Sequence, residues 1–350
     1  MARIIGIAQA FPPHDYPQEV LTAALERLWD GSGVDAAAIR RIHRHTTVER
    51  RHLALPLEQY RAGVPFGRTN DVWIEAADEL GTRAVSEALK NAGVKPAQVD
   101  LIVFVTVTGL ATPSIDARVT NHLGLPRGVR RVPLFGLGCV AGASGLARSA
   151  ELLSASPRGV AVLLSVELCS LTFQAGDRSM ANIVATGLFG DGAAAVVLAG
   201  KERPGRGPVV VASRSIFYPD TEEVMGWRVS ELGFQLVLSP RIPELIREHL
   251  RADVDAFLAE HGLRREDIRE WMVHTGGPKV FTAIEESLEL PADALDATRE
   301  VLRSRGNLSS ASVLVVMNDV LQRRRPEEGS WGMMLALGPG FCSEMVLIRW

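Results

Sequence analysis

A repeated pattern of continuously apolar segments is the feature that most limits how this chain can fold. Residues 99–106 and residues 268–274 each form an apolar run that follows a polar, helix-like stretch. A second pair, residues 187–198 and 332–348, is interpreted as two apolar strands joined at a glycine-containing turn in each copy. Strands that are apolar at every position predict a sheet that helices cover on both faces. We therefore expect an α/β fold, a five-layer α/β/α/β/α sandwich made of two pseudo-duplicated halves.

The boundary between the two halves is expected close to residue 205. Residues 201–208 are rich in proline, glycine and charged side chains, a composition typical of a connecting segment. The halves then span residues 1–205 and 206–350, with the functional site between them.

Cys139 lies at a predicted turn between a strand and a helix. An apolar run, 132–135, precedes it, Gly136 and Gly138 flank the turn, and the small residues 141–145 lead into a periodic helix. A helix N-terminus favours the thiolate, which is the nucleophilic form of cysteine. A single cysteine in an apolar segment is more often a small buried hydrophobe, so its position alone does not identify a nucleophile.

Two distant segments strengthen the interpretation of Cys139 as a nucleophile. His274 ends a short apolar strand, and two glycines and a proline follow it closely. Asn307 follows Gly306 and precedes small polar residues that open a helix over residues 312–322. A cysteine, a histidine and an asparagine, each at a strand or loop edge beside glycine, form a candidate nucleophilic set.

Composition limits the classes of function. The chain has 350 residues, 47% of them hydrophobic, and a net charge of −3, so it can bury a large core and carries no sign of nucleic-acid binding. A local concentration of arginine is either a solvated face or a landing site for a phosphorylated ligand. Its members are Arg40, Arg41, Arg44, Arg50 and Arg51.

The cysteine count and the hydropathy pattern bear on the compartment. The three cysteines are too few and too unevenly spaced for a disulfide framework or a metal site, which favours a reducing environment. The N-terminal apolar run is too short for a signal peptide, and no apolar run approaches the length of a membrane span. We expect a soluble, cytoplasmic protein.

Taken together, these segments resemble the type III polyketide synthases, the chalcone synthase-like branch of the thiolase superfamily. The resemblance covers nearly the whole chain. Its motifs are the Cys139 segment, residues 188–193, 274–278, 306–311 and 338–340. It implies the thiolase-like form of the expected sandwich, a homodimer, acyl-CoA and malonyl-CoA as substrates, and no bound cofactor.

The resemblance also implies roles for the site residues. Cys139 would carry the acyl group, His274 would deprotonate or pair with the thiol and keep it ionised, and His274 and Asn307 would stabilise an enolate oxygen. The Cys139 amide and a backbone N–H near Gly340 would hold the oxyanion formed at the thioester. Lys279 and the arginine cluster, Arg50 and Arg51 included, are candidates for binding the CoA phosphates.

The residues at the predicted pocket positions indicate which class of substrate the site accepts. Phe189 matches an aromatic gatekeeper of the family, and its alternative role is hydrophobic core. Further candidate substrate-binding residues, assigned by the same resemblance, are Thr112, Cys169, Thr172, Trp227, Leu236 and Ser309. Leu236, Cys169 and Thr112 stand where other members of the family carry other side chains. The expected site is therefore apolar and contains fewer aromatic residues than the sites of those members. It favours a long aliphatic starter and alkylpyrone or alkylresorcinol products, as in bacterial members that use fatty acyl starters.

Two other classes of protein remain open from sequence. A β-ketoacyl carrier-protein synthase III would share the cysteine, histidine and asparagine but condense once, on a carrier protein. A scaffold without activity is the alternative that is not an enzyme, and the intact set of three residues argues against it.

Overall fold

A large mixed sheet organises the chain. The computed structural model describes residues 1–61 and 63–350. The strands are β1 Ala2–Ala10, β2 His14–Pro17, β3 Arg50–Leu53, β4 Leu101–Thr106, β5 Arg130–Phe135, β6 Val160–Leu168, β7 Asp191–Gly200, β8 Val209–Phe217, β9 Met225–Ser230, β10 Gly233–Leu238, β11 Ile268–Val273, β12 Trp331–Gly338 and β13 Cys342–Arg349. The helices are α1 Gln18–Leu28, α2 Ala36–His45, α3 Phe66–Asn91, α4 Ile115–Leu123, α5 Ala141–Leu153, α6 Met180–Leu188, α7 Ile242–Ala259, α8 Pro278–Leu288, α9 Asp296–Arg305 and α10 Ala311–Asp319.

The strand order shows an internal duplication. Nine strands hydrogen-bond in the order β11-β12-β13-β8-β1-β7-β6-β4-β5. In the first half β4 is parallel to β6, β6 is antiparallel to β7, and β7 is antiparallel to β1. In the second half β11, β12, β13 and β8 repeat this sequence of pairings. The two groups join where Ala2 and Arg3 of β1 pair with Val210 and Val209 of β8. The expected pseudo-duplicated halves are therefore present.

Successive side chains of each strand point to opposite faces of the sheet, and the cores that they enter show which helices cover each face. In β4, Leu101, Val103 and Val105 belong to a core that also contains α5 and α10, whereas Ile102 and Phe104 face a second core formed with α3. In the second half, alternate residues of β12 face the α5–α10 core or a third core formed with α7 and α8. The layers are thus α3, the first strand group, α5 with α10, the second strand group, and α7 with α8. The predicted five-layer α/β/α/β/α sandwich of the thiolase type is confirmed.

One sequence interpretation was wrong. Residues 187–198 do not form a hairpin, because α6 runs to Leu188 and a single strand, β7, begins at Asp191. Gly190 and Gly192 do not take positive φ angles, so the backbone passes from helix to strand without a tight turn. The hairpin at the other end of the chain exists as β12 and β13. Residues 201–208 connect β7 to β8 without regular structure.

No helix within the described ranges 1–61 and 63–350 is long and apolar enough to cross a membrane.

Candidate active site

The predicted strand-to-helix turn places Cys139 at the inner helical layer. Strand β5 ends at Phe135, a single 3-10 turn spans Gly138–Val140, and α5 begins at Ala141. Gly138 has a φ of +54°, and a Cβ there would lie 2.6 Å from the Pro339 ring. Glycine is therefore required for the close approach of the segment that contains Gly340. The Cys139 side chain is half-buried, and its Sγ lies 3.7 Å from Ser309 Oγ.

His274 and Asn307 meet from two different loops of the second half. His274 directly follows β11, and its backbone N–H donates to the Leu335 carbonyl at 2.9 Å. Asn307 lies between α9 and α10, and its backbone forms a short bridge to Phe189. Its Nδ2 lies 3.4 Å from His274 Nε2, and both residues are buried. Because Ser309 belongs to the same turn as Asn307, one loop contacts both Cys139 and His274.

The electrostatics of the free site differ from the expected ion pair. Desolvation raises the pKa of the Cys139 thiol to about 12, although the contact with Ser309 opposes this shift. Burial also lowers the pKa of His274 to about 3. Both shifts favour a neutral thiol and a neutral imidazole in the free site, and the expected thiolate stays a prediction.

Glu167 is a site-adjacent residue that the sequence analysis missed. It is fully buried and accepts hydrogen bonds from Thr108 Oγ1 at 2.8 Å, from the Val107 N–H at 3.2 Å and from Ser310 Oγ. Burial raises its pKa to about 7, and its charge raises the pKa of Cys139. The signal was present, because Glu167 is the single charged residue in β6, a strand that is apolar at every other position except Ser165.

A cavity of about 370 Å³ contains most of the predicted pocket residues. Phe189, Cys169, Thr172, Trp227 and Leu236 all line it. The sequence analysis did not identify the contribution of α1, of the last residue of β3 and of the segment after β3, which add leucines and a tyrosine to the wall of this cavity. These residues are Leu21, Leu25, Leu28, Leu53, Leu57 and Tyr60.

A second cavity, of about 280 Å³, borders the Gly340 segment. Trp227 and Phe234 line both cavities, so their side chains lie between the two spaces. Thr112 is exposed and lies outside both linings. By the resemblance this position reaches across the dimer, so its expected pocket role stays a prediction.

Arg51 corrects the expectation of a phosphate-binding arginine cluster. It is buried, and its guanidinium donates to Gln18 Oε1 at 3.1 Å and to the carbonyl oxygens of Phe189 and Thr186 at 2.5 and 2.6 Å. The buried Asp191 also supports its charge. Arg51 lines the larger cavity, but these bonds occupy it within the protein, so it is not available at a surface for CoA phosphates.

The other basic candidates lie at the surface. Arg50, on the opposite side of β3 from Arg51, is exposed and paired with Asp15 at 2.7 Å. Lys279 is exposed in the first turn of α8, five residues after His274. Arg50 and Arg51 therefore do not form a common anion site.

The fold and the convergent thiol, imidazole and amide define a thiolase-fold acyltransferase. Residues 1–202 match the family model of the N-terminal domain of chalcone and stilbene synthases, and residues 209–350 match that of the C-terminal domain. The chain belongs to the chalcone and stilbene synthase family and is a type III polyketide synthase, a decarboxylating acyltransferase. These matches set aside the carrier-protein synthase and the inactive scaffold.

Two relatives and one solved structure show how far the similarity extends. The chain is 49% identical over 350 residues to a 1,3,6,8-tetrahydroxynaphthalene synthase of Streptomyces peucetius subsp. caesius, covering 99% of this chain and 93% of that protein. It is 33% identical to a 3,5-dihydroxyphenylacetyl-CoA synthase of Streptomyces toyocaensis, covering 99% and 90%. The crystal structure of 1,3,6,8-tetrahydroxynaphthalene synthase from Streptomyces coelicolor A3(2) superposes with a TM-score of 0.94 at 29% identity, covering 99% of both chains.

Proposed function

We propose that this polyketide synthase carries the growing chain on Cys139 and extends it with malonyl-CoA at the oxyanion site formed by Asn307 and His274. The observation that carries the proposal is the turn 307–309, which contacts His274 through Asn307 and Cys139 through Ser309.

Loading begins with proton transfer from the Cys139 thiol to His274 Nε2 while the sulfur attacks the starter thioester. The CoA thiolate then leaves with the proton from the imidazolium. A neutral Cys139 thiol and a neutral His274 imidazole fit this order, because the thiol then loses its proton only when the substrate thioester is present.

Extension begins when malonyl-CoA loses its carboxylate as carbon dioxide. The electron pair of the broken carbon–carbon bond forms an enolate, whose oxygen accepts from the Asn307 amide and from His274 when Nε2 carries a proton. The enolate carbon attacks the Cys139 thioester, and the thiolate leaves. The longer chain then returns from CoA to Cys139 for the next round. The thiol, imidazole and amide supply the nucleophile, base and donors that these steps need, so we propose no bound cofactor.

We propose that malonyl-CoA also serves as the starter. The names of the two relatives describe compact phenolic rings with hydroxyl groups on alternate carbons and no alkyl tail, as expected for chains built only from malonyl units. Four uncharged polar side chains contribute to the mostly apolar lining of the larger cavity, those of Tyr60, Ser170, Thr172 and Asn182. Its volume of about 370 Å³ is near the lower end of the ~300–1,000 Å³ common for ligand pockets, which suits a compact product.

A long-chain acyl starter, with an alkylpyrone or alkylresorcinol product, is the second candidate. The observation that favours it is the leucine wall from α1 and the segment after β3, because each buried CH₂ contributes roughly 0.8 kcal/mol. Mass spectrometry of products separates the two candidates. A product from malonyl-CoA alone, unchanged when fatty acyl-CoA is added, supports the malonyl starter. No product until a fatty acyl-CoA is supplied supports the second candidate.

We further propose that the enzyme is a homodimer located in the cytoplasm. Strand β5 is an edge strand with a largely exposed face, on which Phe135 is 51% exposed, and a second copy would cover it. The three cysteines are free, which fits a reducing compartment. Sedimentation equilibrium tests the dimer, and a monomer across the micromolar range would contradict it.

A further inference from the structure

Two buried hydroxyl groups connect the loop of His274 to the loop of Asn307. Thr275 directly follows His274, Ser312 lies in the first turn of α10, and both residues are fully buried. Thr275 Oγ1 lies 2.7 Å from Ser312 Oγ, and Ser312 Oγ lies 3.4 Å from Asn307 Oδ1. The contacts therefore form a continuous chain from Thr275 to the side-chain amide of Asn307.

The donors and acceptors of Ser312 set the direction of this chain. A serine hydroxyl has one proton and can accept two hydrogen bonds. The Leu308 backbone N–H, which can only donate, occupies one acceptor position at 2.8 Å. When Thr275 donates to the other position, the single proton of Ser312 points to Asn307 Oδ1. Each hydroxyl then donates toward Asn307.

This series of hydrogen bonds determines whether the oxygen or the NH₂ group of the Asn307 amide faces the reacting groups. Asn307 Oδ1 accepts from the Ser309 backbone N–H at 2.8 Å and from Ser312, which fills its two lone-pair positions. A flipped amide would set its NH₂ group against two donors. The NH₂ group is therefore held on the side of the turn that faces His274, 3.4 Å from Nε2, where its hydrogens are available to a substrate oxygen beside the imidazole.

We propose that Thr275 and Ser312 are positioning residues, whose hydroxyls hold the Asn307 amide in the orientation that stabilises the enolate oxygen. The proposal rests on the role of Asn307 in the proposed function. It goes beyond that role because the hydroxyl contacts run to the Asn307 turn, through Asn307 Oδ1 and the Leu308 N–H, and not to the sulfur of Cys139 or the imidazole.

The test compares the two half-reactions in matched variants. Malonyl-CoA decarboxylation is measured as acetyl-CoA release in the Cys139→Ala background, and starter loading is measured as single-turnover acylation in the Cys139 enzyme. The variants are Thr275→Val, which keeps the shape and removes the hydroxyl, Thr275→Ser, which restores it, Ser312→Ala, and the control Ser149→Ala.

Ser149 is a suitable control because it is equally buried in α5 and donates to the Gly145 carbonyl at 2.7 Å, away from Asn307. Misplaced reacting groups can cost about 10²-fold, so we expect Thr275→Val and Ser312→Ala to lower kcat for decarboxylation by about 10-fold or more, with little change in KM. Loading should fall less than about threefold, and Thr275→Ser and Ser149→Ala should stay close to the parent protein. Melting temperatures exclude variants that have not folded.

A double-mutant cycle completes the test. In the Asn307→Ala background, Thr275→Val should have no further effect on decarboxylation, because the amide through which it acts is gone. Any of three results would overturn the positioning role alone. These are an equal loss of both half-reactions, an unchanged decarboxylation rate in Thr275→Val, and an additive effect of Thr275→Val with Asn307→Ala. A parent protein unable to decarboxylate malonyl-CoA would instead overturn the proposed function and this role with it.

Discussion

The Cys139 sulfur lies 3.7 Å from the hydroxyl oxygen of Ser309, a residue 170 positions further along the chain. This contact joins the nucleophile of the first half to the turn of the second half that carries Asn307. Ser309 has a φ of +48°, unusual for a residue with a side chain, and its backbone N–H is held by Asn307 Oδ1. The proposed acylation site and the proposed decarboxylation site therefore share one loop, which makes the following consequences testable residue by residue.

Cys139→Ala should abolish acylation and keep malonyl-CoA decarboxylation. The thiol is the proposed acyl carrier, whereas the amide and imidazole that face the enolate are unchanged. Intact-protein mass spectrometry after incubation with an acyl-CoA should find no added acyl mass. Acylation that persists in Cys139→Ala would show that another residue, such as Cys169, is the carrier.

Asn307→Ala should reduce decarboxylation more than loading. Removal of one oxyanion donor commonly costs about 10²–10³ in rate, and Asn307 provides no base for loading. His274→Ala should reduce both half-reactions, because His274 also accepts the thiol proton. Single-turnover acylation and acetyl-CoA release measure the two steps separately. Parallel losses in Asn307→Ala would indicate that Asn307 only supports the turn.

The reactivity of Cys139 toward iodoacetamide should rise throughout the range from pH 6 to pH 9. The thiolate is the reactive form, and a pKa raised to about 12 leaves the thiol largely protonated over this range. The expected slope is about 10-fold per pH unit, measured against Cys139→Ala to subtract the other cysteines. A plateau beginning near pH 7 would instead indicate a resident thiolate paired with the imidazole.

Glu167→Gln should make the free energy of unfolding less dependent on pH. Burial raises the pKa of Glu167 in the folded state to about 7, above the ~4.3 expected in the unfolded chain. The folded state then binds the proton more tightly, so this group's contribution is complete below about pH 4 and is lost as the pH rises through 7. Urea unfolding at pH 5 and pH 8 should show that Gln at this position gains stability relative to the natural protein at the higher pH. An equal difference at both values would mean that Glu167 ionises normally.

Cys169→Phe should shorten the products without impairing malonyl-CoA decarboxylation. Cys169 is buried and lines the cavity of about 370 Å³, so a phenyl ring there removes space for the growing chain. Product analysis by mass spectrometry gives the number of extensions. A matched substitution, Cys342→Phe, changes a free cysteine outside both cavity linings. Unchanged products in Cys169→Phe would show that the chain grows elsewhere.

Local sequence determined the elements that carry the reacting groups. The apolar run, glycines and small residues around Cys139 predicted a strand, a turn and a helix, and β5, the 3-10 turn and α5 follow this order. His274 at a strand end was predicted in the same way. Such features depend on neighbouring residues alone, so periodicity and turn chemistry are enough to find them.

Tertiary structure decided which residues contact the side chains of the site and how those side chains ionise. Arg50 and Arg51 are adjacent in sequence but lie in different environments, because successive side chains of a strand point to opposite faces. Arg51 is buried among carbonyl oxygens, whereas Arg50 is exposed and pairs with Asp15. The hydroxyl chain from Thr275 through Ser312 joins residues 37 positions apart. The raised pKa of Cys139 and the lowered pKa of His274 follow from desolvation by burial in the folded protein. Desolvation and hydrogen-bond direction depend on contacts between distant segments, which neither composition nor local periodicity contains.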